Sequence, residues 1–422
     1  MRRVQSLFVS LLLFIGYTAD AAEADELFSN YGSALVQIKS ININSGQKSS
    51  IGTGFFINDS GRIVTNYHVI SSFVQSPEQY RIEYVDEKEQ SFEVQVHDID
   101  VVNDLAILKA DVSPEVYFQL AKEEPAKGDD LFALGNPHDL GMIVVPGTYN
   151  GIKSKSYYQR IHFTGSINPG MSGGPTVDAE GQVIGINVAT AGNQIGFLVP
   201  VAKLHALLAD LKSPEGGESV EGFFTNRITE QLTRNQQQLY QQVLQAEWPR
   251  YSLGGAKVPN EISEFLPCWG NSNEDKEKIR YTAISSSCYL SERIYISSEM
   301  TTGHAQISFN WLQSEDLSGL QLSALYNKTL NSNYGRSNAR QDDVTDFHCY
   351  ESIVQNPAED VSKGYTCVRA YRKYQGLFDV RYYSLLLEKS DQTLVGRYAL
   401  EGVTKETAER FYKKYMESVS WN

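Results

Sequence analysis

The stretch Asn168-Pro-Gly-Met-Ser-Gly-Gly-Pro175 has the composition of a turn built to expose one hydroxyl. A serine nucleophile needs a tight turn and flanking backbone N–H groups free to face a developing oxyanion. Glycine two residues before the serine admits conformations closed to other residues. On this reading Gly170, Met171 and Ser172 frame the oxyanion site, and Gly173 and Gly174 let the next strand approach closely. A glycine-rich hairpin turn would look similar, so the reading needs a base and an orienting acid elsewhere in the chain.

Working outward, Gly61-Arg-Ile-Val-Thr-Asn-Tyr-His-Val-Ile70 sets His68 just after an apolar strand, where an imidazole can hang into a cleft. Asn103-Asp-Leu-Ala-Ile-Leu-Lys109 sets Asp104 at the mouth of a strand that reads as buried. A base of this kind requires a carboxylate that orients it and stabilises the imidazolium. Asp98 and Asp100 compete for that role, but their polar surroundings predict solvent-facing side chains. His97, beside both, fits no defined metal-ligand spacing, and His138, His162, His205, His304 and His348 show no partner motif. No metal or cofactor is expected.

The order His, Asp, Ser is that of the chymotrypsin-like fold. The segments Gly52-Thr-Gly-Phe-Phe-Ile57, Thr65-Asn-Tyr-His-Val-Ile70, Asn103-Asp-Leu-Ala-Ile-Leu108, Leu134-Gly-Asn-Pro137, Asn168 to Pro175, Val183-Ile-Gly-Ile-Asn187 and Ile195-Gly-Phe-Leu-Val-Pro200 together resemble successive signatures of the HtrA (DegP-like) trypsin-like serine proteases. The resemblance runs from about Gly32 to Lys212. It implies two six-stranded β-barrels with His68, Asp104 and Ser172 as the catalytic triad. It also implies a specificity pocket with Ser166 at its floor, Ile167 beside it, and Asn187, Val188 and Ala189 along a wall. Neither Ser166 nor Ile167 is acidic, so small or medium apolar side chains are expected there. Met171 stands where many relatives carry a polar residue. The PDZ domain usual in the family is not recognisable after Ser213.

The fold class expected is therefore an all-β double barrel over 26–212, followed by a linker and Gln-rich helix over 213–250 and an α+β domain over 251–422. A break at Glu123 to Gly128 is expected to separate the barrels. The Gln-rich stretch after Phe223, with Ile228, Leu232, Leu239 and Val243 on one side, is expected to pack on its own domain. The aromatics Tyr371, Tyr374, Phe378, Tyr382 and Tyr383 read either as a binding face or as sheet core. The four cysteines, Cys268, Cys288, Cys349 and Cys367, suggest disulfides in an exported protein. The two local pairs are favoured among three connectivities.

The first 21 residues read as a signal peptide, with Arg2 and Arg3, an apolar run from Leu7 to Ile15, and Ala19-Asp-Ala21 as a cleavage pattern. A periplasmic or secreted location follows, with no stable membrane span after cleavage. The chain has 422 residues and a formal charge of −14, which argues against nucleic acid as a partner. The function expected is a serine endopeptidase acting through an acyl-enzyme on exported proteins, in quality control or processing. A protease-fold binding protein with a latent or inactive site is the alternative. A lipase-type elbow also matches Gly170 to Gly174, but there the acid and histidine should follow the serine.

Overall fold

The computed structural model describes residues 19–190, 195–214, 217–273, 280–331, 339–386 and 391–421. Most of the expected signal peptide lies outside them. A helix α1 (Ala19–Tyr31) leads into seven strands: β1 (Leu35–Asn42), β2 (Lys48–Phe56), β3 (Arg62–Thr65), β4 (Tyr80–Val85), β5 (Ser91–Glu93), β6 (Gln95–Asp100) and β7 (Leu105–Lys109). They are ordered β5-β4-β1-β2-β3-β7-β6, and every pairing is antiparallel. The two ends of this sheet, β5 and β6, are consecutive in the chain and separated only by Val94, whose N–H bonds Ile82 O on β4. One bent strand thus closes the sheet into a barrel and removes its free edges. Helix α2 (Tyr67–Gln75) interrupts the meander between β3 and β4 and carries His68 at its start.

The second sheet contains β8 (Gln119–Leu120), β9 (Asp130–Gly135), β10 (Ile143–Ile152), β11 (Ile161–Phe163), β12 (Pro175–Val177), β13 (Gln182–Thr190) and β14 (Gly196–Pro200). Its order is β12-β9-β10-β11-β14-β13-β8, and an additional β12–β13 pairing closes six strands into a barrel. Strand β8 pairs parallel with β13. The crossing between barrels is therefore complete before residue 119, not at Glu123 to Gly128. That charged stretch is a surface turn, tied by Ala126 N–H to the Asp129 carboxylate. Helix α3 (Val201–Ala209) follows with Val201, Leu204 and Leu207 buried against this barrel.

Helix α4 (Val220–Gln245) begins at Ser219, whose Oγ accepts from Gly222 N–H. Its apolar side buries Phe224, Ile228, Leu232, Leu239 and Val243, each contributing roughly 2 kcal/mol of burial before entropy is counted. It does not pack on the C-terminal strands alone. Gln231 donates to Ile99 O at 2.6 Å and accepts from Val101 N–H at 2.9 Å, locking α4 onto the first barrel. The same helix meets α6 (Lys405–Ser418) through Tyr240 and Phe411, 5.9 Å apart edge to face.

Beyond α4 lie β15 (Arg250–Leu253), β16 (Ala256–Pro259), β17 (Cys268–Ser272), β18 (Tyr281–Tyr289), β19 (Ile294–Tyr295), β20 (Thr301–Thr302), β21 (Ala305–Ser314), helix α5 (Gly319–Asn331), β22 (His348–Gln355), β23 (Val361–Ala370), β24 (Phe378–Leu386), β25 (Gln392–Val403), α6 and β26 (Ser420–Trp421). Seven of these strands form a sheet ordered β17-β18-β21-β25-β24-β23-β22. Disulfides Cys268–Cys288 and Cys349–Cys367 join each edge strand to its neighbour at directly facing positions. Tyr382, Tyr398, Phe411 and Tyr415 stack between this sheet and α6. Tyr371, Tyr374 and Tyr382 are buried core residues, whereas Phe378 and Tyr383 are half-buried. One continuous apolar cluster joins Ile38, Tyr67 and Ile70 of the first barrel to Phe224, Ile296 and Tyr374. The C-terminal region is thereby part of the first barrel's own core.

Candidate active site

His68 sits in the first turn of α2, and its imidazole Nδ1 lies 2.7 Å from Asp104 Oδ2. The other carboxylate oxygen accepts the His68 backbone N–H at 2.8 Å. A carboxylate held on both the ring and the main chain of one residue fixes that ring's rotation. Asp104 itself has φ +62, the left-handed region where a short polar side chain is tolerated. Asn66 Nδ2 secures this turn by donating to Asp104 O at 2.8 Å. Burial disfavours the His68 imidazolium, but the Asp104 charge and hydrogen bond outweigh it and hold the pKa above the ordinary histidine value. Its side chain is 30% exposed, so a substrate can reach it.

The Ser172 turn is gripped by the first barrel. Thr53 N–H donates to Ser172 O at 2.8 Å, and Thr53 Oγ1 donates to Gly170 O at 2.8 Å. Gly170 has φ +98, and a Cβ there would lie 2.3 Å from Asn136 O. Gly173 has φ +85, and its Cβ would lie 2.3 Å from both Thr53 O and Thr65 Oγ1, and 2.9 Å from Asn66 N. A Cβ on Gly52 would meet Val69 at 2.6 Å and Ser172 O at 2.9 Å. The residues flanking His68 and Ser172 therefore meet across β2, with no room for side chains between them.

The backbone hydrogen bonds sort the possible oxyanion donors. Pro169 O accepts His138 N–H at 2.9 Å, which turns the planar peptide so that Gly170 N–H points the opposite way. Met171 N–H donates to Asn168 O at 3.0 Å and is spent inside the turn. Of the three residues expected to frame the oxyanion, Met171 is thus corrected to a buried packing residue, 0% exposed.

Two other expectations change. Asn187 does not line a pocket. It is fully buried, and its side chain accepts from Thr176 Oγ1 and donates to Leu134 O and Met171 O, bracing the serine turn from below. Ile167 is likewise buried in the second barrel's core, close against Gly196. Ser166 and Val188 remain partly accessible, and Ala189 lies on β13 with only its backbone described. Asp98 does not face solvent: it is fully buried against Arg227, a partner 129 residues away that local composition could not reveal. Asp100 caps a turn through the N–H groups of Val102 and Asn103. His97 Nε2 meets Ser213 Oγ at 2.9 Å, and His304 is buried between Leu290 O and Gln306.

Residues 52–186 match the family described as the trypsin-like peptidase domain. Over 173 residues the chain is 32% identical to serine protease HTR4 of Rattus norvegicus, covering 38% of this chain and 34% of that protein. Over 176 residues it is 30% identical to protease Do-like 1, chloroplastic, of Arabidopsis thaliana, covering 38% and 39%. A third relative, the probable periplasmic serine endoprotease DegP-like of Chlamydia trachomatis, is 28% identical over 183 residues, covering 41% and 35%. The matched segment is an HtrA-family protease domain. The chain spans little more than a third of the length of these curated relatives.

Within this HtrA-type domain, Thr53 and Asn66 hold the site and are not among the residues expected from the sequence, whereas Asn187 is expected in a different role. Thr53 and Asn66 lie inside the Gly52–Ile57 and Thr65–Ile70 segments, Thr53 in β2 and Asn66 between β3 and α2, and a polar residue within an otherwise apolar run is the available signal. Among the described residues no cluster of His, Cys, Asp and Glu could hold a metal ion.

Proposed function

We propose that this protein is a serine endopeptidase of exported proteins, with Ser172 as nucleophile, His68 as general base and Asp104 as its orienting acid. The observation that carries this is the two-point Asp104 clamp on His68, set across β2 from a serine turn held by Thr53. Ser172 Oγ attacks the substrate carbonyl as His68 Nε2 accepts its proton. The Gly170 and Ser172 N–H groups face the oxyanion, where one such donor is worth about 10²–10³ in kcat. His68 then returns the proton to the leaving amine, and water hydrolyses the acyl-enzyme by the same path. Ser166 and Val188 border the primary pocket, which without an acid favours small or medium apolar side chains. Two disulfides support folding in an oxidising compartment, periplasmic or extracellular.

The test is labelling of the mature protein with a fluorophosphonate probe near neutral pH, beside Ser172→Ala. Labelling abolished by the substitution supports an activated nucleophile. An unlabelled but folded wild type would overturn the endopeptidase reading and favour a protease fold used for binding.

A further inference from the structure

The segment from Glu292 to Gly303 belongs to the C-terminal region, outside the trypsin-like match, yet it bridges the two barrels beside His68. On the second barrel's side, Glu292 bonds Lys153 Nζ at 2.7 Å and Ser156 Oγ at 2.8 Å. A Cβ on Gly303 would lie 3.0 Å from the Tyr158 hydroxyl. On the first barrel's side, the Tyr67 hydroxyl donates to Ile296 O at 2.7 Å, and Tyr67 is fully buried. The short β19–β20 hairpin lies in between. Its tip is closed by Ile296 N–H to Met300 O at 3.0 Å, and Ile294, Ile296 and Met300 are all buried.

One side chain of this bridge reaches the catalytic surface. The Tyr295 ring lies edge-on to the His68 imidazole, with centroids 6.1 Å apart and planes at 75°. Its hydroxyl reaches Ser71 on the next turn of α2, and Ser71 Oγ donates to His68 O at 3.0 Å. Tyr295 keeps partial exposure, whereas Ile294 and Ile296 on either side of it are buried.

We infer that the Glu292–Gly303 bridge walls the substrate cleft beside His68, and that Tyr295 sets which substrate side chain fits against the imidazole. The inference rests on the endopeptidase reading. The wall is packed from behind by Ile294, Ile296 and Met300 and is aromatic, so it admits small or flat apolar side chains and excludes bulky ones. A steric wall of this kind discriminates by about 10–200-fold.

The experiment is cleavage of a peptide library randomised at two positions on each side of the scissile bond, by wild type, Tyr295→Ala and Tyr295→Trp. Fluorophosphonate labelling and melting temperature are measured for each protein. For Tyr295→Ala, kcat/KM for bulky over small side chains is expected to rise at least tenfold at one position, with selection at the primary pocket unchanged. For Tyr295→Trp the same ratio is expected to fall, which keeps the test sharp if the alanine variant folds poorly. Labelled, folded variants with a wild-type profile would overturn the wall while leaving the endopeptidase reading intact. Uniform loss across all positions would also overturn it, because that is the signature of a purely structural tyrosine. Absence of labelling in the wild type would overturn both readings together.

Discussion

Arg227→Ala should be among the most damaging single substitutions outside the active site. The Asp98 carboxylate is fully buried and accepts four hydrogen bonds, two on each oxygen. Arg227 supplies one to each oxygen at 3.0 Å, and the backbone N–H groups of Ile99 and Lys212 supply the others. Removing the guanidinium leaves a charge in the barrel wall with two main-chain donors and no counter-ion. Stranding one member of a buried pair costs about 3–5 kcal/mol. Asp98→Asn should cost less, about 1–3 kcal/mol, because Arg227 still reaches Asp210, which is half exposed and 3.1 Å away. Equilibrium unfolding in urea, repeated at low and high salt, measures both, and the double variant completes a cycle. Salt should change little, since screening acts weakly on buried pairs. A loss under about 1 kcal/mol for Arg227→Ala, or a larger loss for Asp98→Asn, would refute this account of how α4 is fastened to the first barrel.

Gly170→Ala should lower kcat by about 10²-fold or more, because its φ of +98 and the 2.3 Å approach to Asn136 O force the turn to move; kinetics beside a melting curve check that the fold survives. The pH profile of kcat/KM should rise with pH through a midpoint above 6.5, since the raised His68 pKa keeps the base protonated longer. His304 is pushed down to about 4, chiefly by burial and then by the nearby Arg293 charge. Its neutral form is favoured when folded, so the unfolded chain binds the extra proton between about 6.5 and 4. Its stability contribution is therefore complete above about pH 6.5 and lost as the pH falls towards 4, by about 3 kcal/mol. Acid unfolding of His304→Gln should lack that loss, and an unchanged acid limb would count against it.

What was legible in the sequence and what was not divides along physical range. The serine turn, the His68 strand end and the Asp104 turn are local objects. Each is specified by glycines with positive φ or by an apolar strand next to it, and each can be named from its own short segment. The barrel boundary was misplaced because charge and proline at residues 123–128 mark a surface turn, whereas the crossing is defined by β8 pairing with β13 across more than 60 residues. Asp98 departs from expectation for the same reason: a polar neighbourhood predicts exposure unless a distant arginine arrives to neutralise the charge. Asn187 is a pocket wall by resemblance to the family, whereas in the structure its side chain is buried against Thr176, Leu134 and Met171, contacts that no local pattern announces. Tyr295 had no signal at all, since nothing local distinguishes it from an ordinary strand residue. The residue inferred to wall the cleft is thus the one furthest from the segment that matches the trypsin-like peptidase domain. It stands where it does because α4, through Gln231 and Arg227, fuses the C-terminal region to the barrel that carries His68.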